Sequence, residues 1–158
     1  MDDITELPFG LPGRVFRSPM PFGAFDPGKV VLKLYQENAI NVVVQLVSDD
    51  EARDRTGKEL RRLYLERGYD VIYLPTLDFS IPDRDALQAG VSAAETALNS
   101  GSNLAVHCNA GIGRTGLFLA CLAKRCQSLS GKDAVHWVRQ YIPGAMEVPE
   151  QVLMVMDF

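Results

Sequence analysis

Between Leu104 and Gly116 the chain passes through three kinds of backbone, and this stretch restricts the fold more than any other. Leu104-Ala105-Val106-His107 is an apolar, strand-favouring run, and a glycine-bearing turn follows from Cys108 to Gly113. From Arg114 onward, Leu117, Phe118, Leu119 and Leu122 give an apolar helix pattern. The order strand, tight loop, helix is that of a phosphate-sized loop at the carboxyl end of a sheet strand. A helix N-terminus presents N–H groups with no intrahelical partner, and the helix dipole adds partial positive charge there. The loop formed by Asn109, Ala110, Gly111, Ile112 and Gly113 is therefore expected to hold an anion. Gly111 and Gly113 let the backbone bring its amides together where side chains would crowd a ligand.

The residues at the two ends of the loop suggest what the anion is. Cys108 opens the loop in a field that favours thiolate over thiol. Arg114 closes it with a planar fork that matches two oxygens of a phosphoryl group, and Thr115 places a hydroxyl within reach of the sulfur. A merely buried cysteine in a tight turn would leave two glycines and an arginine without a purpose. His107 ends the strand and is expected to face away from Cys108, supporting the loop backbone without acting as a base.

The 158 residues are 47% apolar and 23% charged, enough for a single domain over 1–158 with a substantial core. A short strand is expected within Leu11–Pro21, and the prolines on both sides suit a sheet edge. A helix should start with Asp26 as its cap and Pro27 in its first turn. Ile40 to Val47 predicts a strand covered on both faces. One helix is expected from about Thr56 to Arg67, stopped by Gly68, and then a strand at Val71–Leu74. A long amphipathic helix should span Asp83 to Asn99, and further helices should run over Thr115–Gln127 and around Ala134–Ile142. The last helix starts at Pro149, with Val152, Leu153 and Val155 available to the core. Strands alternating with helices imply a three-layer α/β/α fold around a mostly parallel sheet, with the ligand site beyond the strand carboxyl ends.

The net charge of −4 argues against nucleic acid or an anionic membrane as a general partner, since both demand a basic face. No apolar run reaches membrane-spanning length, and the opening Met-Asp-Asp-Ile-Thr-Glu has no basic or apolar leader pattern. A soluble, cytoplasmic monomer is the expectation. Three cysteines without CxxC spacing suit a reducing compartment, with Cys121 and Cys126 packed on a helix. Metal ligands do not cluster, and no cofactor is expected. Arg14 and Arg17 could add positive potential near the site, against the plain reading of solvated charges, and Arg53, Arg55, Lys58, Arg61 and Arg62 read as a mixed helix face. His136 and Trp137 are expected to pack in the core.

The run His107-Cys108, five residues, Arg114-Thr115-Gly116 resembles the signature of the cysteine-dependent protein tyrosine phosphatase superfamily. The resemblance extends to the compact atypical dual-specificity branch that includes proteins like the cyclin-dependent-kinase-associated phosphatase. Its further carriers are Pro12-Gly13-Arg14-Val15, Leu77-Asp78-Phe79, Pro143-Gly144, Glu147 and Pro149-Glu150-Gln151. Leu77 stands where larger tyrosine phosphatases have a tryptophan before the acid, and the chain is short for their additional recognition loop. The resemblance implies a phosphomonoester hydrolase that forms a cysteinyl phosphate and takes phosphotyrosine proteins as substrate, with phosphoserine or phosphothreonine accepted by a shallow pocket. A phosphoinositide or nucleotide phosphatase is the alternative, although Asn109, Ala110 and Ile112 offer no lysine to further phosphates. A non-catalytic phosphate-binding module is a second alternative.

Asp78 matches the acid of small dual-specificity phosphatases, 30 residues before the cysteine (108 minus 78), and apolar neighbours would favour its protonated form. Asp83 is its rival, although a helix start accounts for that carboxylate. Glu147 and Gln151 match water-positioning residues, against the plain reading of a helix-start carboxylate and a solvated amide.

Overall fold

The computed structural model describes residues 1–158. The strands are β1 (Thr5–Leu7), β2 (Val15–Ser18), β3 (Val42–Gln45), β4 (Asp70–Tyr73) and β5 (Leu104–His107). The helices are α1 (Val31–Glu37), α2 (Asp49–Thr56), α3 (Leu60–Glu66), α4 (Arg84–Asn99), α5 (Gly113–Gln127), α6 (Gly131–Tyr141) and α7 (Pro149–Asp157). One five-stranded sheet has the order β1-β2-β5-β3-β4, parallel throughout except for the antiparallel β1–β2 pair. The expected α/β/α architecture is present, with β5 at the centre of the sheet.

The central position of β5 follows from its side chains, because a strand flanked on both edges and covered on both faces needs an uninterrupted apolar run. Leu104, Ala105 and Val106 are fully buried. Their carboxyl end delivers Cys108 to α5, in which every residue from Gly113 to Ala123 is buried. This helix packs against α4, α6, α7 and β5. Gly116 permits a close approach: a Cβ there would lie 2.6 Å from the Ala145 Cβ.

Five expectations need correction. The edge strand is β1, not β2, because Pro12 and Pro19 lie outside Val15–Ser18 and leave both of its ladders intact. The helix expected from Asp26 begins only at Val31, since Lys29 has a left-handed φ of 53° that interrupts the turn. The N-cap is Val30, not Asp26, which instead accepts from the backbone N–H of Val30 at 2.9 Å in the turn ahead of the helix. The helix expected over Thr56–Arg67 is two helices, parted by Gly57 at φ 71°, and α2 begins earlier, where the Ser48 hydroxyl accepts from the Glu51 N–H. Leu153 is 60% exposed, because a residue two positions from both Gln151 and Val155 points away from their buried face. His136 is also exposed, whereas Trp137 packs edge-on against Phe9 and Tyr141.

The last residue of β5 is tied into the opposite layer. His107 is fully buried, its Nδ1 2.9 Å from the Cys108 carbonyl and its Nε2 2.9 Å from the Tyr64 hydroxyl of α3. Tyr64 in turn meets Tyr69 edge-on, as Tyr69 does Tyr35 of α1. With Nδ1 donating to the carbonyl, Nε2 accepts from the tyrosine, which is the neutral tautomer. Burial above all, with the nearby Arg114 charge, pulls the His107 pKa down to about 4, against the backbone hydrogen bond to Cys108 and the Glu51 charge, which favour the cation.

A depressed histidine stabilises the fold above its unfolded pKa, and that stability drains as pH falls from about 6.5 toward 4. The full loss is on the order of 3 kcal/mol. Denaturant midpoints measured between pH 7.5 and 4 should show this slope, and His107→Gln should lack it. In an NMR titration His107 should stay neutral until about pH 4.

Candidate active site

Six consecutive carbonyls around the loop after β5 have partners that draw them outward. The His107 carbonyl accepts from Leu46 N–H at 3.1 Å, and that of Asn109 from Met20 N–H at 2.9 Å. Cys108 is tied by His107, and Ile112 accepts from Gly116 N–H at 3.0 Å. Ala110 and Gly111 both accept from Arg17, at 2.8 Å from Nη2 and 3.2 Å from Nε. A trans peptide points its N–H opposite to its C=O, so drawing these carbonyls outward turns the following amides toward the loop centre. No peptide bond in the chain is cis.

Arg17 is the functional residue whose role the sequence reading missed. It is 1% exposed, not solvated, and its third hydrogen bond reaches the Asp2 carbonyl at 2.7 Å. Gly111 is obligatory beside it, since a Cβ there would lie 2.3 Å from both Arg17 Nη2 and the Ser18 carbonyl, at a φ of 78°. Arg14, by contrast, is exposed and pairs with Glu6 at 2.8 Å.

Inside the loop, the Thr115 hydroxyl donates to Cys108 Sγ at 3.2 Å. Both side chains are buried. Arg114 is 3% exposed and is held from behind by a carboxylate the sequence reading did not single out. Glu51, in the first turn of α2, takes Nη1 at 2.8 Å and Nη2 at 2.9 Å, the parallel two-bond pairing that fixes a guanidinium plane. The Thr76 carbonyl takes Nη1 as well, at 2.8 Å. Burial opposes the Arg114 charge, but Glu51, Cys108 and Asp78 outweigh it and raise its pKa above the ordinary value. Burial likewise works to raise the Glu51 carboxyl, and Arg114 and Arg55 more than offset it. The available signal for Glu51 was Ser48-x-x-Glu51, a helix-start pattern that separates α2 from the helix after it.

The Nε of Arg114 is buried with no partner in the chain. An unpaired buried donor costs about 1–3 kcal/mol, a cost that an incoming oxyanion removes. The loop thus has the form of an anion cradle, with a buried cysteine sulfur at its base and a cationic wall held by Glu51. No group of three or more metal-ligating side chains is present.

Asp78 lies in the loop between β4 and α4, its Oδ1 3.2 Å from Arg114 Nη2. The apolar surroundings expected for it are absent. Leu77 and Phe79 are 78% and 60% exposed, and the carboxylate faces two guanidinium groups, those of Arg114 and Arg55. Asp83 instead caps α4, accepting from Ala86 N–H at 2.9 Å. Glu147 and Gln151 do come to the loop: a Cβ on Gly113 would lie 2.5 Å from Glu147 Oε1 and 3.3 Å from Gln151 Oε1. Gln151 is buried, not solvated; it accepts from Glu147 N–H at 2.8 Å and donates to the Ser80 carbonyl at 3.1 Å.

The family model for the polymorphic toxin system DSP-PTPase phosphatase (Tc-R-P) matches residues 23–127. The chain is similar to tyrosine-protein phosphatase CDC14 of Candida albicans, 28% identical over 82% of this chain and 22% of that protein. The Saccharomyces cerevisiae tyrosine-protein phosphatase CDC14 matches at 28% identity over 80% of this chain and 21% of its own length. The chain thus spans about a fifth of the length of these relatives. Among solved structures, Tk-PTP in its active form superposes with a TM-score of 0.77 at 28% identity, covering 92% of this chain and 90% of that one. Kinase associated phosphatase shares the fold with a TM-score of 0.87 at 19% identity, over 98% and 92% of the two chains.

Arg17→Leu should cost about 2–3 kcal/mol of stability, the worth of hydrogen bonds from a charged donor, in a denaturant titration. It should also weaken vanadate binding while Cys108 stays intact. The matched segment runs from before α1 to the end of α5 and carries both Cys108 and Arg114 on the loop just described. The chain therefore belongs to the DSP-PTPase phosphatases, enzymes of the cysteine-dependent protein tyrosine phosphatase superfamily.

Proposed function

We propose that this phosphatase hydrolyses phosphotyrosine in proteins through a cysteinyl-phosphate intermediate, with phosphoserine and phosphothreonine as lesser substrates. The observation that carries the reading is the Thr115 hydroxyl 3.2 Å from Cys108 Sγ, inside a ring of inward amides. In the first half-reaction the Cys108 thiolate attacks phosphorus, an S–P bond forms, and the P–O bond to the leaving oxygen breaks. The amides and Arg114 hold the equatorial oxygens, and Asp78 gives its proton to the departing oxygen. In the second, water attacks phosphorus, the S–P bond breaks with its electrons returning to sulfur, and Asp78 recovers the proton. Thr115 donates its hydrogen bond to the sulfur as negative charge returns there.

The ion pair between Asp78 and Arg114 fits this cycle. A phosphoryl dianion in the Arg114 fork takes the place of the carboxylate, and a second negative charge beside Asp78 favours its protonated form. For the second half-reaction, Glu147 is the better placed of the two water-positioning candidates, because both ends of the Gln151 amide are already engaged. Gln151 then acts by holding the Ser80 carbonyl and, with it, the loop that carries Asp78.

Initial rates on phosphotyrosine, phosphoserine and phosphothreonine peptides, a phosphoinositide and a nucleotide, without added metal, test the substrate assignment. A preference for either of the last two overturns it. Cys108→Ser should lower turnover by several orders of magnitude while phosphate-ester binding persists, and appreciable turnover would refute the covalent route. Asp78→Asn should slow esters with poor leaving groups by about 10²-fold or more, spare those with good ones, and flatten the alkaline limb of the pH–rate profile. Asp83→Ala should lower stability by about 1 kcal/mol, the worth of a helix cap, with the leaving-group dependence unchanged.

A further inference from the structure

We infer that Arg55 is the positioning residue for the acid: it holds the Asp78 carboxylate over the site once a phosphoryl group has taken Arg114 from it. The inference rests on the assignment of Asp78 as the proton donor. Arg55 sits one turn after Glu51 on α2 and bridges two acids, its Nε 3.1 Å from Glu51 Oε2 and its Nη2 3.5 Å from Asp78 Oδ2. The Asp78 carboxylate is thereby shared, Oδ2 with Arg55 and Oδ1 with Arg114.

The rest of the loop cannot do this job. Its flanks are pinned through main-chain carbonyls, Thr76 by Arg114 and Ser80 by Gln151 of α7. Between them Leu77 and Phe79 extend into solvent, and Phe79 has a left-handed φ of 55° with its N–H on Asp78 Oδ1 at 3.0 Å. No apolar anchor therefore fixes the tip that carries the acid. The charges facing Asp78 are Arg114 from α5 and Arg55 from α2, with Glu51 behind both. Gln151 from α7 is neutral, and Asp83 is engaged at the start of α4. When substrate occupies Arg114, Arg55 is the remaining side-chain contact. Its 42% exposed side chain has the freedom to follow the carboxylate as the leaving group arrives.

Two effects of opposite sign follow, and a purely structural arginine would show neither. Losing Arg55 frees the acid from its place and slows esters that need the proton. Losing its charge also removes a cation that opposes protonation, so the acid keeps its proton to higher pH. The test is steady-state kinetics on aryl phosphates with good and poor leaving groups across pH, for Arg55→Gln and Arg55→Lys, alone and combined with Asp78→Asn. Arg55→Gln should lower kcat for the poor leaving group about fivefold, the scale of a partly exposed ion pair, and move the alkaline limb up by roughly half a pH unit. KM for the good leaving group should change little, and Arg55→Lys should restore the alkaline limb. In the Asp78→Asn background the Arg55→Gln effect should vanish.

An Arg55→Gln effect that persists without Asp78, or an unchanged leaving-group dependence and pH limb, overturns the inference. If Asp78→Asn itself spares poor leaving groups, the acid assignment fails and Arg55's role falls with it. If Asp78→Asn shows its full loss and Arg55→Gln shows none, only the role of Arg55 is refuted.

Discussion

Arg17 holds the Ala110 and Gly111 carbonyls away from the loop centre, and much of the site's geometry rests on that hold. Peptide dipoles left to themselves would alternate, and an anion at the centre would meet oxygens as often as N–H groups. Drawing the carbonyls outward spends the guanidinium of a buried arginine to make a concave, positively polarised surface without placing a second cation against the substrate. The same device explains the immediate surroundings. Gly111 must lack a side chain because Arg17 and Ser18 occupy that space, and β2 must lie beside β5 so that Arg17 can reach across. The antiparallel strand β1 then covers the other edge of β2.

On the opposite side of the loop, charge alternates through Arg114, Glu51, Arg55 and Asp78. Each carboxylate lies between two guanidiniums and each guanidinium between two carboxylates. Inside a protein such a ring stabilises only where geometry is tight, and the two-bond pairing of Glu51 with Arg114 supplies that. The weaker links involve Asp78, the member proposed to change protonation state and neighbours during turnover. Rigidity is thus concentrated on Arg114 and relaxed at Asp78.

The strand–loop–helix unit was legible because its pattern is local: an apolar run, two glycines and a buried helix, each following from neighbours in sequence. Asp83 as a cap and His107 as a support were legible for the same reason. What escaped reading depends on contacts between distant segments. Arg17 looks like any arginine in a short strand until β2 is known to lie beside β5, 94 residues from the glycine it holds. Glu51 was lost because the helix start at Ser48 was not read, and Arg55 because it was taken for part of a mixed charged face. Asp78 was placed correctly in the loop but given the wrong surroundings, since nothing local to Leu77 and Phe79 says that they point outward. β2 was misjudged because prolines near a strand were treated as prolines within it.

The packing around the loop also limits how a lineage built on this scaffold can diversify. Of the residues between Cys108 and Arg114, a side chain at Gly111 would meet Arg17 and one at Gly113 would meet Glu147. Asn109, Ala110 and Ile112 are half-buried, with part of each side chain open to solvent. Inherited change that preserves the cradle meets most resistance at Gly111, where the Ser18 backbone blocks a side chain, and least at these three positions. Substrate preference in such a lineage can drift through them, and through the exposed tip at Leu77 and Phe79, while the machinery beneath stays constant.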